Sequence, residues 1–442
     1  MDISDRFESF DSELGAAAAL FGRVDQDSNG VERSQLFLFY VNGSAEEAIT
    51  NVVSFTFDAT KLALIEGSEV SLIKQRSNSG AHNGGGLLFG ADGYLYISLG
   101  DGSSGYDLDG NAQSLTKSLL SGIIRIDVYG DDLTKVKPIG RRPDGGETAG
   151  YWIPIDNPFV GRENVLEEFW ALGLRNPFRM SFMPDGRRLI VGDVGQASYE
   201  EINILDSGDN AGWSFREGPL KFRSSRLKGR TPPAAEQIVG PYYWYRNEEE
   251  RGVVIGGLVL KESLYESENG KYVFSDFRSG EVLSLDLNET GERPVPELLV
   301  SKNSPGFGPA YLATSLFLYK GELLVTRLGG GDDGSTILRM RRATELSPRT
   351  GVKRKRSGAE IFMAHCASCH GSPDNPSMTG LEAARDFRDL EWQRSVLDSS
   401  IRSVIRNGVR NEGNDITMPA WEGILTDEEI ESLISVIRTY GE

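Results

Sequence analysis

Asp92-Gly93-Tyr94-Leu95-Tyr96-Ile97-Ser98-Leu99-Gly100-Asp101-Gly102 holds the form on which the fold of most of the chain turns. An Asp-Gly turn opens it, a run of apolar and aromatic residues follows, and a glycine-rich exit closes it; this is how a short strand between tight turns reads. The form returns as Asp185-Gly186 before Leu189-Ile190-Val191, as Asn269-Gly270 before Tyr272-Val273-Phe274, and as Lys320-Gly321 before Leu323-Leu324-Val325. Successive turn glycines are 93, 84 and 51 residues apart. A propeller blade takes roughly 40–50 residues, so two of the gaps have room for two blades each. Residues 1–340 are expected to form an all-β propeller, six-bladed when complete. A pair of packed sheets is the plainer alternative.

The rest of the chain reads differently. Residues 339–356 carry eight Lys or Arg against the single Glu345, and 341–356 are expected to be a basic linker. From Ser357 the period becomes helical, and 357–442 are expected to form a small all-α domain. Ile361, Phe362 and His365 share one helical face, and Val396, Ile401, Val404 and Ile405 another. Thr426-Asp427-Glu428-Glu429 is a capping box before a helix whose Ile430, Leu433, Ile434 and Ile437 follow the 3.6 period.

Composition narrows the function classes. The chain has 442 residues and a net charge of −18, which argues for a soluble protein without general affinity for nucleic acid. No stretch approaches the ~18 consecutive apolar residues of a membrane helix. The two cysteines lie in one motif, so a disulfide framework is excluded.

That motif is Cys366-Ala367-Ser368-Cys369-His370, the C-x-x-C-H pattern of covalent haem attachment. Two thiols at this spacing can form thioethers to one haem, with His370 beneath the iron. A zinc site would need four ligands, and only His365 and His370 stand near the thiols. Met418, in Met418-Pro419, is the expected second axial ligand, a pairing that raises the potential and suits electron transfer. Gly358, Phe362 and Tyr440 are placed for a crossing of the first and last helices. The whole tail resembles class I cytochromes c.

One histidine lies outside the tail: His82, in Ala81-His82-Asn83-Gly84-Gly85-Gly86. A lone histidine is more often structural than catalytic, yet this one precedes a strand, in a connection. Gly100-Asp101-Gly102 follows the next strand. Leu172-Gly173-Leu174-Arg175-Asn176-Pro177 and Gly192-Asp193-Val194-Gly195-Gln196 bracket another. These segments resemble the soluble glucose/sorbosone dehydrogenase family, which carries pyrroloquinoline quinone (PQQ) on a six-bladed propeller. Further matching stretches are Leu119 to Asp127, Ile155 to Phe159, Ala171 to Arg179, Gly192 to Asn203 and Asn210-Ala211-Gly212-Trp213.

The resemblance implies roles. His82 matches the general base that takes the substrate hydroxyl proton, and Arg175 the cation that stabilises charge on the quinone oxygen. Asp101 and Asn176 match groups lining the cofactor and substrate site, and Arg278 a basic cofactor contact. The backbone carbonyls of Gly195 and Gln196 match a calcium site. Asp193 and Glu201 read at least as readily as turn and strand-end residues. Two departures stand out. Family members carry an opening strand before the segment matching Leu36 to Tyr40, whereas here the first blade is expected to be incomplete. Ser304 to Ser315 also lacks arginines that some members direct at the cofactor.

The expected function is a quinohaemoprotein dehydrogenase. It would oxidise a sugar or related alcohol or aldehyde through PQQ and pass electrons to haem c, then to a soluble or membrane respiratory acceptor. The alternative is a carbohydrate- or protein-binding propeller without PQQ, with the haem domain as a relay. Haem c maturation places the protein in the bacterial periplasm or outside the cell. Residues 1–30 carry no export signal, so the reading frame is expected to continue upstream of Met1.

Overall fold

The computed structural model describes residues 15–26, 32–44, 46–103, 105–222, 229–234, 237–248, 251–288, 294–301, 313–327, 336–340, 357–371, 385–409, 418, 421 and 425–440. The chain divides into two compact units, Met1–Arg342 and Ala343–Glu442. The basic stretch 341–356 lies outside the described residues, as do Ser304 and the residues after it up to 312.

Antiparallel sheets fill the first unit. The first sheet runs Gly15–Gln26, Glu32–Gly43, Ala48–Asp58, Val70–Ser77 and Gly146–Thr148, with Ala63–Leu64 to one side. The second runs Gly86–Phe89, Leu95–Leu99, Gly122–Ile126, Phe169–Leu172. The third runs Pro177–Phe182, Leu189–Asp193, Tyr199–Leu205, Tyr243–Arg246, and the fourth Val254–Val259, Tyr272–Asp276, Val282–Leu285, Glu297–Val300. Ala313–Tyr319, Glu322–Arg327 and Thr336–Arg339 make the fifth.

The inner strands of the second, third and fourth sheets are buried on both faces, and their side chains alternate between two cores. Leu95 and Ile97 join a cluster with Phe37, Phe39 and Ile73 of the first sheet. Their neighbour Tyr96 points the other way, to Met180, Leu189 and Val191 of the third. Ile190 and Ile202 then pack on Val254 and Phe274 of the fourth, and Val273 and Val282 on Leu323 and Val325 of the fifth. Burying each such side chain contributes about 1.5–3 kcal/mol. Double-sided burial explains why the strands read as continuous apolar runs. Three successive sheets covered on both faces exclude a sandwich pair, whose two sheets would each turn one face to water. The opening strands of neighbouring sheets lie side by side, as around a propeller axis. The described residues hold five such blades.

The first blade departs from expectation. It was expected to lack strands, and it has six, more than any other sheet described. Its opening strand, Gly15–Gln26, begins with the run Ala16 to Ala19. Alanine has weak strand preference, so nothing local marks it; pairing with Glu32–Gly43 supplies what propensity does not.

The second unit is helical in its described parts: α1 (Gly358–His365), α2 (Ala367–His370), α3 (Leu390–Ser395), α4 (Asp398–Asn407) and α5 (Asp427–Thr439). The capping box forms as read, Thr426 accepting from the Glu429 amide and Glu429 from that of Thr426. Ile361, Phe362, Ile401, Ile405, Ile430, Leu433, Ile434 and Ile437 form one core, whereas Val404 is 38% exposed. Helices α1 and α5 touch at Gly358, where an added Cβ would stand 2.0 Å from the Ser432 carbonyl oxygen. Phe362 and Tyr440 meet with ring centroids 4.8 Å apart.

Candidate functional site

Two neighbouring blades place chemically similar positions side by side. His82 lies just before the opening strand of the second sheet, and Arg175 and Asn176 just before that of the third. Asp101 follows the second strand of the second sheet, and Asp193 ends the matching strand of the third.

A recurring aspartate explains this layout. Asp193 accepts the backbone N–H groups of Arg175 and Asn176 at 3.0 and 2.6 Å. One blade on, Asp276 accepts those of Gly252 and Val253 at 3.0 and 2.9 Å. In each blade the carboxylate caps the segment entering that blade's first strand. Asp101 occupies the equivalent place but binds a side chain instead. His82 Nδ1 lies 2.8 Å from its Oδ1. Its Oδ2 accepts the Trp213 indole N–H at 2.8 Å, and Oδ1 also accepts the Ser103 amide at 3.0 Å.

These contacts assign the imidazole tautomer. Nδ1 carries the proton it gives to Asp101, so Nε2 offers a lone pair. Arg175 Nη2 donates to that lone pair at 2.6 Å. The guanidinium also donates from Nη1 to the Val194 carbonyl at 2.8 Å and reaches Gln196 Oε1 at 3.4 Å. It stands 5.8 Å from the Trp213 ring centroid. His82, Asp101, Arg175 and Trp213 are all buried. His82 takes a left-handed backbone, φ +56°, which few non-glycine residues adopt.

The seam between the two blades is hydrogen-bonded at this level. The Asp101 amide donates to the Arg175 carbonyl at 2.8 Å, the Gly84 amide to Asn176 Oδ1 at 2.9 Å, and Ser98 Oγ to the Pro177 carbonyl at 2.7 Å. Asn176 thus ties backbone segments together. Arg278 is exposed and donates to Asn247 Oδ1 at 3.2 Å; Asn247 donates to buried Glu200 at 3.1 Å, and Glu200 accepts from the Gly195 amide at 3.3 Å. Arg278 therefore reaches the site segment through two intermediaries and does not touch His82 or Arg175.

Beneath the site lie buried carboxyls that sequence reading left as structural. Asp193 and Glu201 are cross-strand partners. Burial raises both the Asp193 and the Glu201 carboxyl above the usual carboxylate range, and Asp193 raises Glu201 further. Glu200 is raised well above the usual range by burial. No group of three or more His, Cys, Asp or Glu placed to hold a metal occurs among the described residues. Gly195 must be glycine, since a Cβ there would sit 1.6 Å from the Tyr199 carbonyl oxygen. Gln196 turns its side chain to the Tyr106 amide at 2.9 Å as well as to Arg175.

In the helical unit, Cys366 is buried in the core and His370 stacks on Phe387 with centroids 4.4 Å apart. His370 Nδ1 lies 2.8 Å from the Arg385 carbonyl, so Nδ1 is the donor and Nε2 is left for a ligand. Metal-binding histidines are commonly fixed this way. Met418 packs against the same core and accepts the Val409 amide at 3.0 Å. The Cys369 and His365 side chains lie outside the described residues. A haem held through Cys366, His370 and Met418 fits these donors.

Comparison with known proteins follows the same division. The family described as glucose/sorbosone dehydrogenase matches residues 23–140 and 148–302. The family described as cytochrome c oxidase, cbb3-type, subunit III, matches 353–435. The HIPL2 protein of Arabidopsis thaliana is 38% identical over 202 residues, 44% of this chain and 28% of that protein. An Escherichia coli aldose sugar dehydrogenase is 29% identical over 219 residues, 46% of this chain and 52% of that protein. The solved apo structure of the soluble E. coli aldose sugar dehydrogenase superposes with a TM-score of 0.54 at 20% identity, covering 74% of this chain and 83% of that one, which shows the fold. Cytochrome c6 of Euglena viridis is 31% identical over 81 residues, 18% of this chain and 86% of that protein. The chain spans barely half or less of the dehydrogenase and HIPL2 sequences it matches. By its propeller the chain belongs to the glucose/sorbosone dehydrogenase family, and by its carboxy-terminal segment to the cytochromes c.

Proposed function

We propose that the protein is a quinohaemoprotein dehydrogenase that oxidises a sugar or related alcohol or aldehyde. The observation that carries this reading is the alignment of Asp101, His82 and Arg175: a carboxylate on one imidazole nitrogen, a guanidinium on the other. Asp101 holds the Nδ1–H tautomer, which leaves Nε2 to accept a hydroxyl proton. Nη2 of Arg175 holds that lone pair first. With PQQ bound, a substrate hydroxyl would replace Nη2 at that lone pair, and the Arg175 guanidinium would be available to an anionic oxygen of the cofactor, where a buried cation is worth most.

PQQ, when bound, supplies a two-electron acceptor. Arg175 and Asn176 are the residues to meet it in the buried seam, with Asp101 fixing the base beside it. The backbone carbonyls of Gly195 and Gln196 would offer hard oxygen ligands to calcium. They would fill part of a shell of six to eight oxygens. The six-blade count of the family belongs to this reading, as do covalent haem attachment and residence outside the cytoplasm. Among the described residues no helix is long and apolar enough to cross a membrane. Tethering the haem makes it a nearby acceptor at high effective concentration.

The test is to add PQQ and calcium to the purified protein, then an aldose, and follow the haem absorbance. Reduction that needs all three additions supports the dehydrogenase. Saturable sugar binding with no haem reduction would favour the alternative of a binding propeller with a separate relay.

A further inference from the structure

Asp101 differs from its counterparts Asp193 and Asp276, which accept the amides entering their blades. In the second blade the main chain does that work. The Gly102 amide donates to the His82 carbonyl and the Gly85 amide to the Ser98 carbonyl, both at 3.2 Å. Gly100 permits this approach, since a Cβ there would stand 1.9 Å from the His82 carbonyl oxygen. The Asp101 carboxylate is left for other partners.

A carboxylate presents one oxygen in a set direction only when the other is fixed as well. Oδ1 faces His82 Nδ1 and the Ser103 amide, and Oδ2 accepts the Trp213 indole N–H at 2.8 Å, from 112 residues away. Trp213 is itself held by its backbone. Its amide donates to the Gly173 carbonyl at 2.9 Å, and its carbonyl accepts from Gln113 Nε2 at 2.6 Å. Gln113 exchanges two further hydrogen bonds with Asn210, at 3.0 and 2.7 Å. Asp101 and Trp213 are both buried. An acceptor orphaned there is costly, and the carboxylate turns to find another donor.

We infer that Trp213 is a positioning residue: its indole N–H turns the Asp101 carboxylate toward His82 and so holds the imidazole Nδ1–H in its hydrogen bond. The standing of His82 as a base rests on the proposed dehydrogenase reading. The hydrogen bond does not, so the test reads the bond itself.

The probe is the Nδ1–H proton of His82, observed by NMR in the full chain labelled with 15N-histidine, with the haem reduced and no PQQ or sugar added. Its resonance is the one lost in His82→Ala. Trp213→Phe keeps a ring and removes the N–H. Benzothienylalanine at position 213 keeps the size of the indole and puts sulfur in place of the N–H. In both, the signal should move upfield and exchange with water at least tenfold faster than in the native chain. A signal that stays in place or moves downfield in the benzothienylalanine protein would overturn the inference. In the PQQ-loaded protein, Trp213→Phe should slow single-turnover reduction about tenfold and add nothing to Asp101→Asn, through which it acts; additive losses would count against it as well. A native chain that reduces no haem, while its Nδ1–H answers to position 213, would sink the dehydrogenase reading and leave the positioning role standing.

Discussion

His82 is held between opposite charges, with the Asp101 carboxylate 2.8 Å from Nδ1 and the Arg175 guanidinium 2.6 Å from Nε2. No other histidine occurs in the propeller unit, so no second imidazole can replace it. His82→Ala should lower turnover by roughly 10²–10⁴ while cofactor still binds. Asp101→Asn should fall in the same range, because an amide no longer enforces the Nδ1–H tautomer. Single-turnover reduction of PQQ checks both, and native rates in either variant would remove the base from the mechanism.

Asp107 gives a pH dependence. Burial, with Asp101 nearby, pushes its carboxyl up to about 6 against the pull of Arg230. The folded chain then keeps a proton between about 3.8 and about 6 that the unfolded chain has released. Stability should fall as pH rises through that window. Asp107→Asn should flatten this part of the profile. Urea midpoints measured from pH 4 to 7 for both proteins decide it; identical slopes would count against the burial.

The haem should survive acid–acetone extraction, given Cys366, Cys369 and His370 at attachment spacing. Met418→Ala should lower the reduction potential and open the sixth coordination position to added ligands. An unchanged potential would point to a different axial ligand.

Gly358 is a packing prediction independent of any ligand. With Ser432 O at 2.0 Å and Leu433 N at 2.8 Å from a modest Cβ, alanine forces α1 away from α5. The carboxy-terminal unit should lose about 1–3 kcal/mol, read from its own thermal transition. A melting temperature equal to the native one would show that the helices can part without cost.

The turn–strand–glycine form made four blade strands legible, at Leu95–Leu99, Leu189–Asp193, Tyr272–Asp276 and Glu322–Arg327. It works because Leu95–Leu99, Leu189–Asp193 and Tyr272–Asp276 are packed from both faces, so the apolar run is unbroken. The strand Gly15–Gln26 was hidden because its alanines signal nothing on their own. In the site, His82 stood out through being solitary, and Arg175 through resemblance. The specific work of Asp101 was not legible. Its place after a strand is shared with Asp193 and Asp276, which cap backbone, and only the three-dimensional neighbour tells which partner each takes. The setting of Asp107 was equally hidden, since Ser214 and Arg230, which donate to its carboxylate, are 107 and 123 residues away.

The hydrogen bonds from Asp101 to Arg175, from Gly84 to Asn176 and from Ser98 to Pro177 make the segments around His82 and Arg175 a suture between two blades. Neither half can breathe alone. Amide protons at Asp101 and Gly84 should therefore exchange with solvent only when the blades part, at the slow rate of global opening.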